Sequence, residues 1–315
     1  MASKKIVRSV MKSGGSLTIS IPRSWARKIK LREGDYVEVE VAGDKLIISP
    51  MIEERVDRVR LRLESDIQSL INKVVAAYLM GYDVIEILAP RNLKEDLERE
   101  ILQVKDKLMG LEVMETSSST ITLGMVIDPL KLKPVEILRM MWKTSDEMLR
   151  YSLESLISGD LKRSSLINRM EDDMDRLYFY MVRILRRGLM DPALAAMLKI
   201  SSIEMLDYRL AAFFLENIAD KAFELMELSE LRDGALGELM PRLSEIVLKN
   251  HEYAMEAFLN KNLDQMITIR KNIEVLSKML MIPNLSWGEL KLRDILLYIA
   301  DMQYDLANLI QLQLA

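Results

Sequence analysis

The chain has 315 residues, half of them apolar and 29% charged, with a formal net charge of −4 and no cysteine. That length leaves room for two or three domains, and the lack of cysteine excludes disulfides, cysteine-ligated zinc and a thiol nucleophile. No uncharged apolar run approaches the ~20 residues a membrane span needs, and the basic start MASKKIVRSVMKSGG lacks the apolar stretch of a signal peptide. A cytoplasmic protein that is not integral to a membrane is expected. The charge is unevenly placed. Residues 1–50 carry ten basic and five acidic side chains, a net of +5, which leaves −9 for the rest. A basic head on an acidic body suggests different partners for the two parts.

Residues 1–50 predict a small β domain. Leu17, Ile19 and Ile21 alternate with Thr18 and Ser20 until Pro22 ends the strand. Residues 24–29 make about two helical turns, Val37, Val39 and Val41 alternate again, Gly43-Asp44 reads as a turn, and 46–48 as a last strand. The order, with GGSLTISIPRSW and then LREGDYVEVE, resembles the AbrB/SpoVT/MazE swapped-hairpin domains. The resemblance implies an obligate homodimer that binds DNA. It places the DNA-facing side chains at Lys4, Lys5, Arg8, Lys12, Arg23, Arg27 and Lys28. Phosphates attract such a surface and each contact releases counterions; a solvated basic edge that discourages strand aggregation is the alternative.

Residues 51–133 predict an α+β module in the order β-α-β-α-β-β: strand 58–63, helix 66–80, strand 83–88, helix 92–109, and strands 113–116 and 120–127. No phosphate loop, dinucleotide glycine fingerprint or acid/His/Ser constellation occurs there. A spacer role is expected, with ligand binding or dimerisation as alternatives.

Residues 134–315 read as six helices in two sets of three, with a division at 232/233. Pro134 opens the first, Gly159 closes it, Gly188 closes the second, and Asp191-Pro192 opens the third. Helices over 238–259, 263–282 and 287–314 follow, the last with a Ser286/Glu289 capping box. In the third, Leu206, Leu210, Phe213, Phe214, Ile218, Ala222 and Leu225 form an apolar stripe predicted to face a core. Glu216 and Asp220 lie four apart on that helix, and Glu171 and Asp175 repeat the spacing on the second.

Arg209-Leu210 followed by Leu215-Glu216-Asn217-Ile218-Ala219-Asp220-Lys221-Ala222 resembles the R-x-L-E-x-I-(G/A)-D-x-A signature of PhoU proteins. That family consists of phosphate-uptake regulators built from two three-helix bundles. The resemblance implies metal ligands at Glu171, Asp175, Glu216 and Asp220, for a divalent metal or an iron or zinc cluster. The unligated reading is a set of solvated acids paired with neighbouring Lys or Arg. The second repeat departs from the motif: Lys278 follows Glu274 at +4 and Leu297 precedes Asp301 at −4. The whole chain resembles the archaeal-type phosphate uptake regulators, an AbrB-like head fused to a PhoU-like body. It implies a phosphate-responsive transcription regulator. The alternative is an adaptor that docks on the ATPase subunit of a phosphate ABC transporter and uses its head only to dimerise. The single histidine, His251, has no recognisable nucleophile or paired acid around it, and no enzyme is expected.

Overall fold

A computed structural model describes residues 6–42, 45–50, 56–64, 66–88, 94–229, 231 and 234–310. The chain divides into two compact units, Met1–Arg55 and Val56–Ala315. Lys4, Lys5, the Gly43-Asp44 turn, the start of the helix expected at 92 and the end expected at 314 lie outside the described residues.

The first unit holds two antiparallel hairpins around one short helix. Strands β1 (Val10–Ser13) and β2 (Ser16–Ile19) pair with Val10 opposite Ile19. Gly14 bends the connection at φ 60°, a left-handed angle that glycine takes without a Cβ clash. Helix α1 (Arg23–Lys28) follows Pro22. Strands β3 (Val37–Ala42) and β4 (Lys45–Pro50) pair with Val41 opposite Leu46. None of the side chains described in this unit is buried, and Leu17 is 76% exposed. Isolated hairpins of this size hold together poorly in water.

The second unit begins with a four-stranded sheet in the order β5-β6-β8-β7. It comprises β5 (Arg58–Arg62), β6 (Val84–Leu88), β7 (Leu111–Thr116) and β8 (Thr120–Met125). The crossover helix α2 (Ile67–Leu79) makes β5 and β6 parallel; the other pairs are antiparallel. Asp66 starts α2 by accepting the Ser69 N–H at 2.8 Å. Ile85, Ile87, Ile121 and Leu123 are buried, while on β5 the exposed Arg58, Arg60 and Arg62 alternate with half-buried Val59 and Leu61. Helix α3 (Lys94–Lys107) packs beside α2.

Helices fill the remainder. Helix α4 (Pro134–Ser158) ends at Gly159, and α5 spans Ser164–Met190. The short α6 (Pro192–Leu198) and the long α7 (Ser202–Glu227) follow. After a 3-10 turn at Gly237–Leu239 come α8 (Met240–Asn260), α9 (Leu263–Met279) and α10 (Trp287–Asn308). Helices α4, α5 and α7 pack as one set, and α8, α9 and α10 as another; α7–α10 and α4–α8 contacts join them.

Three local expectations change. The second helix does not stop at Gly188 but continues to Met190. A Cβ at Gly188 would stand 2.7 Å from Met205 Cε, so this glycine admits a close approach of α7. The third helix is two: Lys199 turns left-handed at φ 56°, and a Ser201/Glu204 capping box restarts the chain as α7. The stripe on α7 holds at Ile218, Ala222 and Leu225, which are buried, and is displaced in the turns before them. Leu206 is 58% exposed, and Leu210 and Phe213 are exposed with it. The buried face is Met205, Ala211, Ala212, Leu215, Ile218, Ala219, Ala222 and Leu225. Four alanines on that face bring neighbouring backbones close, and large side chains alone mark the wrong edge.

His251 sits in the core between the two helical sets. Its Nε2 is 2.9 Å from Ser145 Oγ and its ring stacks on Trp142 at 6.4 Å. Burial pushes its pKa down to about 4, so the ring is neutral near pH 7.

Candidate functional site

The first group of candidate residues lies on the head. Arg8 precedes β1, Lys12 is in β1, and Arg23, Arg27 and Lys28 are on α1. All five are exposed, and none has an ion pair among the described residues. Pro22 starts α1 with an extended backbone, and its six residues carry two cations in the last turn, where they favour the helix dipole. Trp25 is half-buried on this helix.

The second group stands between α5 and α7. Glu171, Asp175, Glu216 and Asp220 are partly buried, and the pKa of each lies above its ordinary value. Burial is the largest cause in each case. For Glu171 it is reinforced by the charges of Asp220 and Asp175. For Glu216 burial, Asp220 and Asp175 together push the carboxyl up to about 7. Asp220 is raised by burial and then Asp175. Asp175 is raised by burial, with Lys107 of α3 pulling the other way. No ion pair neutralises any of the four among the described residues. Glu216 accepts only the neutral Asn217 Nδ2 at 2.9 Å. Of the adjacent cations, Arg176 leans to Asp173 and Lys221 bonds Glu224, so neither forms an ion pair with the four acids.

Four carboxylates without nitrogen or sulfur suit a hard cation in chemistry. In spacing, no group of three or more His, Asp or Glu side chains among the described residues is placed to hold one ion. In the other helical set, Asp301 is raised by burial and by Asp305.

The acidic group has a pH signature. The Glu216 carboxyl keeps its proton to about pH 7 in the folded protein, against an ordinary value of 4.5. Between those values the folded state binds the extra proton, so stability falls as pH rises through that window. Glu216→Gln is expected to match the parent near pH 4.5 and to melt a few degrees higher at pH 8. Calorimetric melting across that range checks it.

Sequence reasoning did not reach a third cluster. Arg183 of α5, only 3% exposed, donates to the Tyr78 carbonyl at 2.7 Å and the Gly81 carbonyl at 3.2 Å. It also lies 3.5 Å from Asp83, which the Arg187 guanidinium binds as well. This cluster makes the sheet module and the helices one compact unit. In the sequence RILRRG, residues 183–188, it reads as a solvated basic run, and only its apolar neighbours Tyr180 and Ile184 hint otherwise.

Two segments of the chain match known families. Residues 10–55 match the family of the antidote-toxin recognition protein MazE, a bacterial antitoxin. Residues 138–229, from α4 through α7, match the PhoU domain. The chain thus fuses segments of two domain types. In particular, it joins a MazE/AbrB-like β domain through an α/β region to a helical body of PhoU type. No curated protein and no solved structure matches the chain. No described helix is long and apolar enough to cross a membrane.

Proposed function

We propose that the protein is a phosphate-responsive transcription regulator that binds DNA through a dimeric head and senses phosphate status through its helical body. The observation that carries this reading is the head itself. Arg8, Lys12, Arg23, Arg27 and Lys28 are all exposed on a unit of MazE type that buries no described side chain of its own. The PhoU match supplies the link to phosphate. The test is titration of duplex DNA from phosphate-transport promoters and of random duplex, across a salt series, with the parent and a head variant. Selective binding that weakens steeply with salt supports the reading; weak binding, equal on both duplexes and unchanged in the variant, overturns it.

The missing core argues for the dimer. Val10, Leu17, Val39, Val41 and Leu46 are exposed apolar side chains on four short strands, and a second head would cover them. Sedimentation equilibrium is expected to give a dimer for the parent and a monomer for Leu17→Glu/Val41→Glu.

A hard divalent cation at the carboxylates of α5 and α7 would have to draw them together, because as they stand they are not spaced to share one ion. Added Mn²⁺ is expected to raise the melting temperature of the parent and not of Glu216→Gln/Asp220→Asn. One observation favours the adaptor reading as the alternative: Ile203, Leu206, Leu210 and Phe213 leave an apolar edge of α7 exposed. A protein partner such as the ATPase subunit of a phosphate transporter would cover it, and binding to that subunit without selective DNA binding would favour this alternative.

A further inference from the structure

A cleft of about 650 Å³ opens between α7 and α10 in the second unit. That size suits a drug-sized or nucleotide-sized ligand and far exceeds one inorganic phosphate. Its rim carries Trp287, 79% exposed in the first turn of α10. A tryptophan left this open is unusual, because the indole gains most when a flat partner covers it. Three cations line the same cleft: Lys221 from α7, and Lys291 and Arg293 from α10. The Lys221 ammonium stands 5.5 Å above the Tyr298 ring.

The cations have weak local partners. Glu224 bonds Lys221 and lies 4.0 Å from Lys291. Arg293 is held by its sequence neighbour Asp294 at 2.9 Å. Half-exposed pairs of this kind contribute little, so a phosphate group, with more charge and more acceptors than one carboxylate, displaces them. An exposed indole and two ammonium groups lining one cleft, with Trp287 and Lys291 one turn apart on α10, match a base and its phosphates. We propose that this cleft binds a nucleoside phosphate, with the base against Trp287 and the phosphates between Lys221 and Lys291.

The site has a route to the acidic group. Tyr298 donates its hydroxyl to Asn217 Oδ1 at 3.0 Å, and Asn217 Nδ2 donates to Glu216. Asp220 lies in the cleft wall. A ligand that shifts Tyr298 is therefore felt by Glu216 two bonds away. The proposal does not depend on DNA binding by the head.

The experiment is titration of the full-length protein with ATP, followed by tryptophan fluorescence and calorimetry. Saturable binding with quenching is expected, since Trp287 lines the cleft and Trp25 and Trp142 do not. Trp287→Ala is expected to weaken binding roughly tenfold through lost stacking. Lys221→Ala/Lys291→Ala is expected to weaken it by tenfold or more through lost charge-assisted hydrogen bonds. Glu224→Gln releases both ammonium groups and is expected to tighten binding, a gain that misfolding does not produce. Adenosine and inorganic phosphate, each supplying half of the ligand, are expected to bind at least tenfold more weakly than ATP. No binding of ATP, equal binding in all variants, or inorganic phosphate binding as tightly as ATP would overturn the proposal.

Discussion

Changing Arg8, Arg23, Arg27 and Lys28 to alanine is expected to reduce affinity for promoter DNA at least ~100-fold near physiological salt. Two terms add. Cations at phosphates each contribute about 0.9 to the slope of log affinity against log salt. A head dimer presents each substituted position twice, so the slope itself should flatten. Arginine also grips guanine with two hydrogen bonds, worth roughly 1–3 kcal/mol of discrimination for each good pair. The four side chains are exposed and make no ion pair among the described residues, so their loss disturbs no packing. An unchanged circular dichroism spectrum with a flatter salt slope would separate lost contacts from lost structure. A variant that keeps both affinity and slope would take the head out of DNA recognition.

Arg183→Met is expected to be the most destabilising single change in the second unit. Methionine keeps the apolar stem and removes the fork that serves two backbone carbonyls and leans on Asp83. The Tyr78 ring, 5.1 Å from the guanidinium, loses a stacked cation as well. Breaking a buried, hydrogen-bonded charge pair by removing one partner costs ~3–5 kcal/mol. For a body of this size that is about 10 °C in melting temperature. Arg183→Lys should recover only part, since one ammonium cannot reproduce the fork. Hydrogen exchange gives the local readout: amides around Gly81 should lose protection before those of α8 or α10.

Much of the architecture is legible in the chain because it is written in local chemistry. Val37, Val39 and Val41 alternate at the strand period, Pro134 opens α4 where its missing N–H costs nothing, and the Ser286/Glu289 box marks α10. An equal box at Ser201/Glu204 hides inside a continuing apolar pattern, with no glycine or proline to mark the break at Lys199. The first half of the buried face of α7 escapes a reading by large apolar residues, because Ala211 and Ala212 carry little weight in such a pattern. At the site, the four-residue intervals show that Glu171 with Asp175, and Glu216 with Asp220, share a helix side. That α5 and α7 then face each other is tertiary information. The Arg183–Asp83 contact spans 100 positions, and nothing local in either segment names the other.

Helix α5 carries Glu171 and Asp175 toward one end and Arg183 and Arg187 toward the other. Both ends are fixed in rotation, one toward α7 and one toward the turn at Gly81. Each residue advances the helix by about 100°. Insertion or deletion of a single residue between Asp175 and Arg183 would therefore swing the guanidinium out of its pocket while leaving the acids in place. Only a change of a whole number of turns restores the facing, and it would then shift the arginine along the axis past the carbonyls it serves. In evolutionary terms this interval is locked in length, and its buried positions Leu177, Tyr180, Met181 and Val182 can change only to other apolar residues. Homologues that share the coupling should show substitutions there and no gaps.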